Sequence, residues 1–564
     1  MGNQVAKWIV RDRPERELAE AIGREFGLRP LVAELILQRG FTEPDDIAQF
    51  LQPRLNDLAD PFLLPNMEAA VTRIFKAIDD KESVVIYGDY DVDGVTSLTL
   101  LHATLLAYGL NARTFLPHRM DEGYGLSEQG IERCLSEFSP SLIIAVDCGT
   151  SSIGPITNLR EAGIDVVIFD HHECSPEGQP PAVALVNPKL GDDFHYLCSV
   201  GVVFKLAHGM LKRRRIDLDL RDWMDIIALG TVADLVPLVD ENRTLVRKGL
   251  EQLERSNRPG IAHLKQVAGV SGRMHSYDIG FKLGPRLNAS GRLDTAQASL
   301  DLLMCEDDAE ARVLAEFLDT QNRSRQEVEG RIKDEALAML ERFNPKREPG
   351  IVLASSDWHP GVVGIVASRV SKGYHRPTFI IAIDENGIGK GSGRSIPGVS
   401  LVAAIEACGD LLEAGGGHEM AAGLSVREEN LDAFRERFQE WIRETTDQQL
   451  LRPKLEIDLI ATFDQLDLDL LESYEMVHPL GMQNPPPLFA SFGVQLAQAP
   501  RVIKDKHLRL KMHQNGHQIE AMYFNASEKD LPRLPWDVAY KIDRNIYRGR
   551  VSVGVTIEAI RAAK

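Results

Sequence analysis

Residues 84–94 read VVIYGDYDVDG, an apolar run followed by Asp89, Asp91 and Asp93 at alternate positions and then a glycine. The stretch Ser83–Ile86 has the length and β-branched content of a buried strand. The pattern recurs downstream. LIIAVDCGT (142–150) sets Asp147 after the run Leu142–Val146, and VVIFDHHE (166–173) sets Asp170, His171 and His172 after Val166–Phe169. A further run, Ala182–Val186, has no acid at its end. Helical patterns separate these runs, and strands alternating with helices imply a parallel sheet. Open parallel sheets bind ligands beyond the carboxyl ends of their strands, so the acids should converge there. IIALGTVADLVPL (226–238) adds Asp234 on a loop after an apolar helix.

So many carboxylates cannot meet without a cation, because mutual repulsion would raise their pKa values. Carboxylate oxygens with imidazole suit Mn²⁺ or Mg²⁺. Two such ions ~3.5–4 Å apart activate water and stabilise the leaving oxygen of a phosphoester. Each part has a plainer reading. A lone aspartate after a strand commonly caps a helix or turn. DYDVDG also opens like an EF-hand loop, but Leu100 stands where that loop needs Glu. The vicinal pair His171-His172 is the hardest to explain structurally.

The rest of the chain bounds the problem. Hydrophobic residues make up 44% and charged residues 26% of the 564, a globular composition. No apolar run reaches the ~18 residues of a membrane helix, and MGNQVAKWIV lacks the basic-then-apolar form of a secretory leader. The six cysteines (134, 148, 174, 198, 305 and 408) are scattered without a C-x-x-C pair, which fits a reducing compartment. The net charge of −19 disfavours nucleic-acid binding by composition alone. A basic cleft on an acidic whole is still compatible with it, because phosphate affinity depends on contact residues. Five regions are expected: a helical segment (1–75), the acid-bearing α/β domain (76–300), a long connecting helix (301–345), a second α/β region (346–446) and a strand-rich region (447–564). The last contains LEIDLIATF, FGVQLAQAPRVI, HLRLKMHQ, HQIEAMYF and RVSVGVTIEAI, with Asn515-Gly516 as a hairpin signal. Five or so strands suggest a small OB-fold barrel.

The segments DYDVDG, VDCG, DHH and GTVADLVPL, in that order and context, resemble the four motifs of the DHH phosphoesterases. The resemblance implies that Asp89, Asp91, Asp93, Asp147, His171 and Asp234 are metal ligands, with Asp147 the bridge. It gives His172 a role on the scissile phosphate or as an acid, and Asp170 a role in orienting a histidine. PHRMDEGYGL (117–126), GPRLNASGRLD (284–294), SSDWHPGVVGIVASRV (355–370), GKGSGRS (389–395) and GGGH (415–418) resemble blocks of the family's single-strand exonuclease branch, whose second lobe is of the DHHA1 type. Ser290 departs from that branch, where Ala is common. The implied architecture is α/β and multidomain: a parallel-sheet DHH lobe and a smaller α/β DHHA1 lobe joined by a long helix, plus a C-terminal all-β OB-fold barrel. The implied activity is 5′→3′ hydrolysis of single-stranded DNA to 5′-mononucleotides with two Mn²⁺ or Mg²⁺ ions, in recombination and repair. The implied setting is cytoplasmic and monomeric, off the membrane, with a single-strand-binding protein and a RecQ-type helicase as partners. The alternative is a small-molecule phosphodiesterase or pyrophosphatase carrying an accessory barrel. Smaller relatives of that kind lack the long helix and the barrel. A non-catalytic strand-binding module should lack a metal ligand, and none is missing.

Residues for DNA or phosphate follow from the same blocks. Arg286, Asn288 and Arg292 lie in a glycine-punctuated stretch, and Arg suits forked phosphate recognition; interdomain salt bridges are the plainer reading. The glycines of GKGSGRS could form an anion nest, with Ser392 and Arg394 holding a phosphate. His418 after three glycines, His359 after Trp358, and Arg119 toward the metal cleft complete the set. In the barrel, Lys504, Lys506, Arg509, Lys511, Arg544, Tyr547, Arg548 and Arg550 provide the basic and aromatic residues that OB-folds use on single strands.

Overall fold

In the computed structural model, which describes residues 6–118, 125–293, 295–345 and 347–563 (without the side chains of 292 and 293), VVIYG becomes β1 (Val84–Gly88). With β2 (Arg113–Phe115), β3 (Leu142–Val146), β4 (Asp165–Phe169) and β5 (Ala184–Val186) it forms an all-parallel sheet in the order β2-β1-β3-β4-β5. Strands β1, β3 and β5 are buried along their whole length, as expected for a sheet covered on both faces. Register fixes the site. Gly88 pairs with Val146, Val146 with Phe169, and Phe169 with Val186. The next residues, Asp89, Asp147, Asp170 and Asn187, therefore stand in one row at the carboxyl edge. Helices α1 (Val92–Ala107), α2 (Ser199–Arg213), α3 (Met224–Ala233) and α4 (Asp240–Arg255) follow the strands.

The chain divides into two compact units. One comprises Ile9–Asn288, Ala296–Ala315 and Glu456–Lys564; the other comprises Ala289–Thr295 and Glu316–Leu455 with the N-terminal residues to Trp8. Within the first, the N-terminal helices share a hydrophobic core with the strand-rich region: Leu35, Ile36 and Ile47 pack in one cluster with Phe489, Leu510 and Val538. The glycine-punctuated segment GPRLNASGRL is α5 (Gly284–Leu293). Burial of Leu287, Ala289 and Ser290 outweighs its poor helix propensity. The long helix α6 runs Asp308–Met339, within the expected 301–345, and continues through Gly330.

In the second unit, β6 (Ile351–Ser355), β7 (Thr378–Ile383), β8 (Ile388–Arg394), β9 (Leu412–Gly417) and β10 (Ala421–Arg427) form a mixed sheet in the order β9-β10-β8-β7-β6. Helix α7 (Val363–Tyr374) packs on it.

The C-terminal region is a seven-stranded sheet whose first, short strand β11 (Leu459–Ile460) precedes helix α8 (Leu468–Glu475). Its other strands are β12 (Phe489–Leu496), β13 (Arg501–Ile503), β14 (His507–Gln514), β15 (His517–Phe524), β16 (Trp536–Tyr547) and β17 (Arg550–Ala562). The order is β11-β12-β16-β17-β15-β14-β13, and an additional β12–β14 pairing closes it into a barrel. Asn515 and Gly516 both take positive φ in the β14–β15 hairpin, as a type I′ turn requires.

Candidate metal centre and nucleic-acid contacts

The acids converge as their strand ends predict. Ligand atoms of Asp89, Asp91 and Asp147 lie within 4.8 Å of one another, and so do those of Asp93, His171 and Asp234. His171 Nε2 joins the groups. It is 3.5 Å from Asp147 Oδ1, 3.5 Å from Asp234 Oδ2 and 3.8 Å from Asp93 Oδ2. Neighbouring donors of one octahedral ion are ~3 Å apart for bonds of ~2.1 Å, so these atoms need only sub-ångström shifts to share a cation.

The backbone holds these side chains in place. Asp91 caps α1, its Oδ1 accepting from the N–H groups of Asp93 (2.8 Å) and Gly94 (3.1 Å). A Cβ on Gly94 would sit 2.3 Å from the Asp89 carbonyl oxygen, so only glycine lets the helix start this close to the strand end. Asp93 accepts from the N–H groups of Ser199 (2.7 Å) and Val200 (2.9 Å) at the α2 N-terminus, where the helix dipole favours an anion. Ser199 Oγ donates to Asp147 Oδ1 at 3.0 Å. Asp147 itself has φ 62, a sparsely populated conformation of the kind that clusters at active sites. Asp234 follows the last turn of α3, its N–H donating to the Gly230 carbonyl.

Electrostatics argue for a cation. Burial and neighbouring Asp91 push Asp93 up to about 7. Burial, Asp93 and Asp91 push Asp234 up to about 9. Burial and the surrounding aspartates raise Asp147 well above the carboxylate range. His171, buried beside His172, falls to about 4 and is neutral, the form in which imidazole ligates a metal. Among the described residues, the buried atoms His171 Nε2 and Asp234 Oδ2 have no hydrogen-bond partner. Buried polar atoms are normally satisfied, and two orphaned ligand atoms facing each other fit a divalent ion.

Asp170 joins neither group, whereas a ligand atom of His172 lies within 4.8 Å of those of Asp147 and His171 in a third. Asp170 Oδ2 accepts from Thr150 N–H (3.0 Å), and its Oδ1 accepts from His171 N–H (2.7 Å) and contacts His172 Nδ1 (2.7 Å). Burial works against its charge, but His172 and His171 outweigh it and keep Asp170 below the ordinary carboxylate range. In return Asp170 offsets the burial of His172 and holds that imidazole above its ordinary value. Asn187, which no motif signals, donates from Nδ2 to Thr150 Oγ1 (3.0 Å) and to the His172 carbonyl (2.9 Å), tying down the row. Beside Asp234, the exposed Leu235 opens a groove of about 660 Å³ lined also by Tyr277, Phe281, Lys282 and Lys541. Tyr277 and Phe281 stack with centroids 4.7 Å apart and are 61% and 70% exposed. Neither stands out in sequence.

Comparison with known proteins gives this arrangement its family. Family models match residues 83–231 (DHH family, N-terminal domain), 348–444 (DHHA1 domain) and 457–559 (RecJ OB domain). The chain is 35% identical to the single-stranded-DNA-specific exonuclease RecJ of Dickeya dadantii over 99% of both chains. The chain belongs to the RecJ family. It is 37% identical to the Bacillus subtilis RecJ, matching 93% of this chain and 66% of that longer protein. The crystal structure of Thermus thermophilus RecJ in complex with Mn²⁺ superposes over 100% of this chain and 80% of that one, with a TM-score of 0.84 and 28% identity.

The expected phosphate-binding residues fall into several settings. GKGSGRS is not an anion nest: it lies within the interior strand β8, whose two neighbours are β7 and β10. Its glycines alternate onto the core face, where a Cβ on Gly393 would meet Phe379 at 2.4 Å. Ser392 and Arg394 point to the other face, Arg394 Nη1 donating to Ser392 Oγ at 3.0 Å. They lie against the start of α7, where a Cβ on Gly364 would be 2.9 Å from Ser392 Oγ. His359 Nδ1 accepts from Gly361 N–H before that helix, and Trp358 is a core residue bonded to Glu335. GGGH runs out of the exposed edge strand β9, with His418 exposed. Arg286 is half-buried, donating to the Lys282 carbonyl at 2.7 Å, and Asn288 lies one position past buried Leu287. Arg119 and the Arg292 side chain lie outside what the structure describes. On the barrel, Arg509, Tyr547 and Arg550 line a groove of about 890 Å³, while Arg544 is engaged by Glu475 at 2.6 Å. No helix among the described residues is long and apolar enough to cross a membrane.

Proposed function

We propose that this chain is a divalent-metal-dependent exonuclease that degrades single-stranded DNA in the 5′→3′ direction, releasing 5′-mononucleotides. The observation that carries the reading is the pair of abutting acid groups, Asp89/Asp91/Asp147 and Asp93/His171/Asp234, at the strand ends. These six side chains would hold two Mn²⁺ or Mg²⁺ ions. Bound ions supply the Lewis acidity that activates water and neutralises charge on the phosphoryl oxygens. His172, fixed through Nδ1 by Asp170, presents its other ring nitrogen and can give a proton to the leaving oxygen. Tyr277 and Phe281 offer a stacking platform for bases beside the Asp234 loop, the sequence-tolerant mode of single-strand binding. Ser392 and Arg394, with His359, His418, Arg119, Arg286, Asn288 and Arg292, are the candidates for phosphate contacts, and the barrel groove with Arg509, Tyr547 and Arg550 for the rest of the strand. A role in recombination and repair, in the cytoplasm and as a monomer, with a single-strand-binding protein and a RecQ-type helicase as partners, completes the proposal.

The test is product analysis. Uniformly labelled single strands and blunt duplexes are incubated with Mn²⁺ or with chelator. Mononucleotides from the single strand alone, abolished by chelator, support the reading. Turnover of pyrophosphate or cyclic dinucleotides with no strand degradation would replace it with a small-molecule activity.

A further inference from the structure

Asp234 is held differently from the other acids. They sit on strand ends or at the start of α1, whereas Asp234 begins the loop 234–239 between α3 and α4. The C-terminal barrel region grips that loop. Leu238 N–H donates to the Met482 carbonyl at 2.9 Å. Gly481 lies so close that a Cβ there would come within 2.6 Å of Leu238 Cδ1, and Leu238 is itself buried. Two consecutive residues of α4 complete the fastening. Asn242, fully buried, donates through Nδ2 to the Pro237 carbonyl at 3.0 Å. Arg243, 3% exposed, reaches the barrel side. Its Nη2 donates to the carbonyls of Val477 and His478 (3.0 Å each), its Nη1 to that of Pro479 (3.3 Å) and its Nε to that of Phe50 (2.7 Å). The guanidinium also lies over the Phe50 ring at 3.7 Å. Asn484 binds the Val477 and Pro479 carbonyls from the other side, at 3.1 and 2.6 Å.

Among the described residues, every polar partner of Arg243 is a main-chain carbonyl, so the guanidinium fixes backbone position. Four of the five guanidinium N–H donors are engaged by these carbonyls. Three of these bonds fix the turn 477–484, which lies between α8 and β12 in the barrel region. That turn in turn bonds the loop that starts at Asp234.

We propose that the turn 477–484, fastened by Arg243, is a positioning element of the metal centre that sets Asp234 in place. The barrel region then contributes to the reaction through the metal site as well as through any strand it binds. The inference rests on Asp234 being a metal ligand. Misplacing a ligand through its supporting residues costs ~10–100-fold in metal affinity.

The test is Mn²⁺ titration of the full chain at 25 °C, with free Mn²⁺ followed by electron paramagnetic resonance. The variants are Arg243→Met, Arg243→Lys and Gly481→Val, with Asp234→Asn as reference, each checked for folding by circular dichroism. Asp234→Asn should weaken one of two binding steps. Arg243→Met and Gly481→Val should weaken that same step ~10-fold or more and leave the other unchanged. Arg243→Lys should recover part of the loss, and kcat on single strands should fall with KM held. Two wild-type binding steps in folded Arg243→Met and Gly481→Val, beside a weakened Asp234→Asn, would overturn the inference and leave the site reading standing. Unaltered binding by Asp234→Asn would overturn that reading and the inference with it. Should Arg243→Met fail to fold, Gly481→Val decides by the same criteria.

Discussion

Loading the metal centre should expel protons and reverse the way stability depends on pH. In the metal-free fold, Asp93 titrates at about 7 and Asp234 at about 9, with Asp147 also raised, because burial and mutual repulsion penalise their charges. At pH 7, Asp234 therefore holds its proton and Asp93 is about half-protonated, while burial and the neighbouring aspartates shift Asp147 in the same direction. Divalent ions need these ligands ionised, so binding at pH 7 should release more than ~1 proton per chain, from Asp234 and Asp93. The linkage sign follows. The folded pKa values lie above the ordinary 3.8, so the folded chain binds more protons than the unfolded one. The metal-free advantage is complete below about 3.8 and is lost as pH rises toward 7 for Asp93 and 9 for Asp234. For Asp93 alone the shift is worth on the order of 4 kcal/mol. With Mn²⁺ bound, the same carboxylates are stabilised as anions and the trend inverts. Isothermal titration of Mn²⁺ at pH 7 in buffers of different ionisation enthalpy counts the protons. Melting curves from pH 5 to 9, with chelator and with Mn²⁺, give the slopes, and their difference cancels groups away from the site. Uptake without proton release, together with parallel slopes, would refute the reasoning.

Other consequences are equally open to measurement. His172→Gln should leave Mn²⁺ binding intact but lower kcat by ~10²–10⁴-fold. Because Asp170 holds His172 above its ordinary value, the wild-type rate should fall at high pH as that proton is lost, and the variant should lack this limb. An unchanged pH–rate profile in the variant would remove His172 as the proton donor. Gly393→Val puts a side chain into Phe379 and should cost ~1–3 kcal/mol or more in urea unfolding; wild-type stability would show the β8 packing to be wrong. Arg394→Lys should lose most on strands bearing a 5′-phosphate and little on 5′-hydroxyl strands, because Lys cannot form the forked contact; equal losses on both would place Arg394 elsewhere.

Most of the metal site was legible in the sequence because its acids follow apolar β-branched runs whose ends align by register. Sites assembled by tertiary contact left no local mark. Asn187 follows a strand of three residues, Ser199 opens a helix far along the chain, and Tyr277 and Phe281 look like ordinary core positions. GKGSGRS misled for a physical reason. Its glycines suggest a loop, but they are glycines because Phe379, Ile381 and Leu424 leave no room for a Cβ, and their alternation is that of a strand. In the barrel, β16 was not anticipated: its start is buried on both faces, with Asp537 satisfied by Arg561 at 3.1 Å, which hides the usual alternation.

The most direct test of the account uses single-stranded DNA labelled at the 5′ end or at the 3′ end. Each is digested with Mn²⁺, with chelator, and with Asp147→Ala in place of the native chain. A metal-dependent 5′→3′ exonuclease releases early mononucleotides from the 5′ label only, and loses this with chelator and in the variant. Early release from the 3′ label alone would contradict the polarity, and full activity in Asp147→Ala would contradict the metal centre itself.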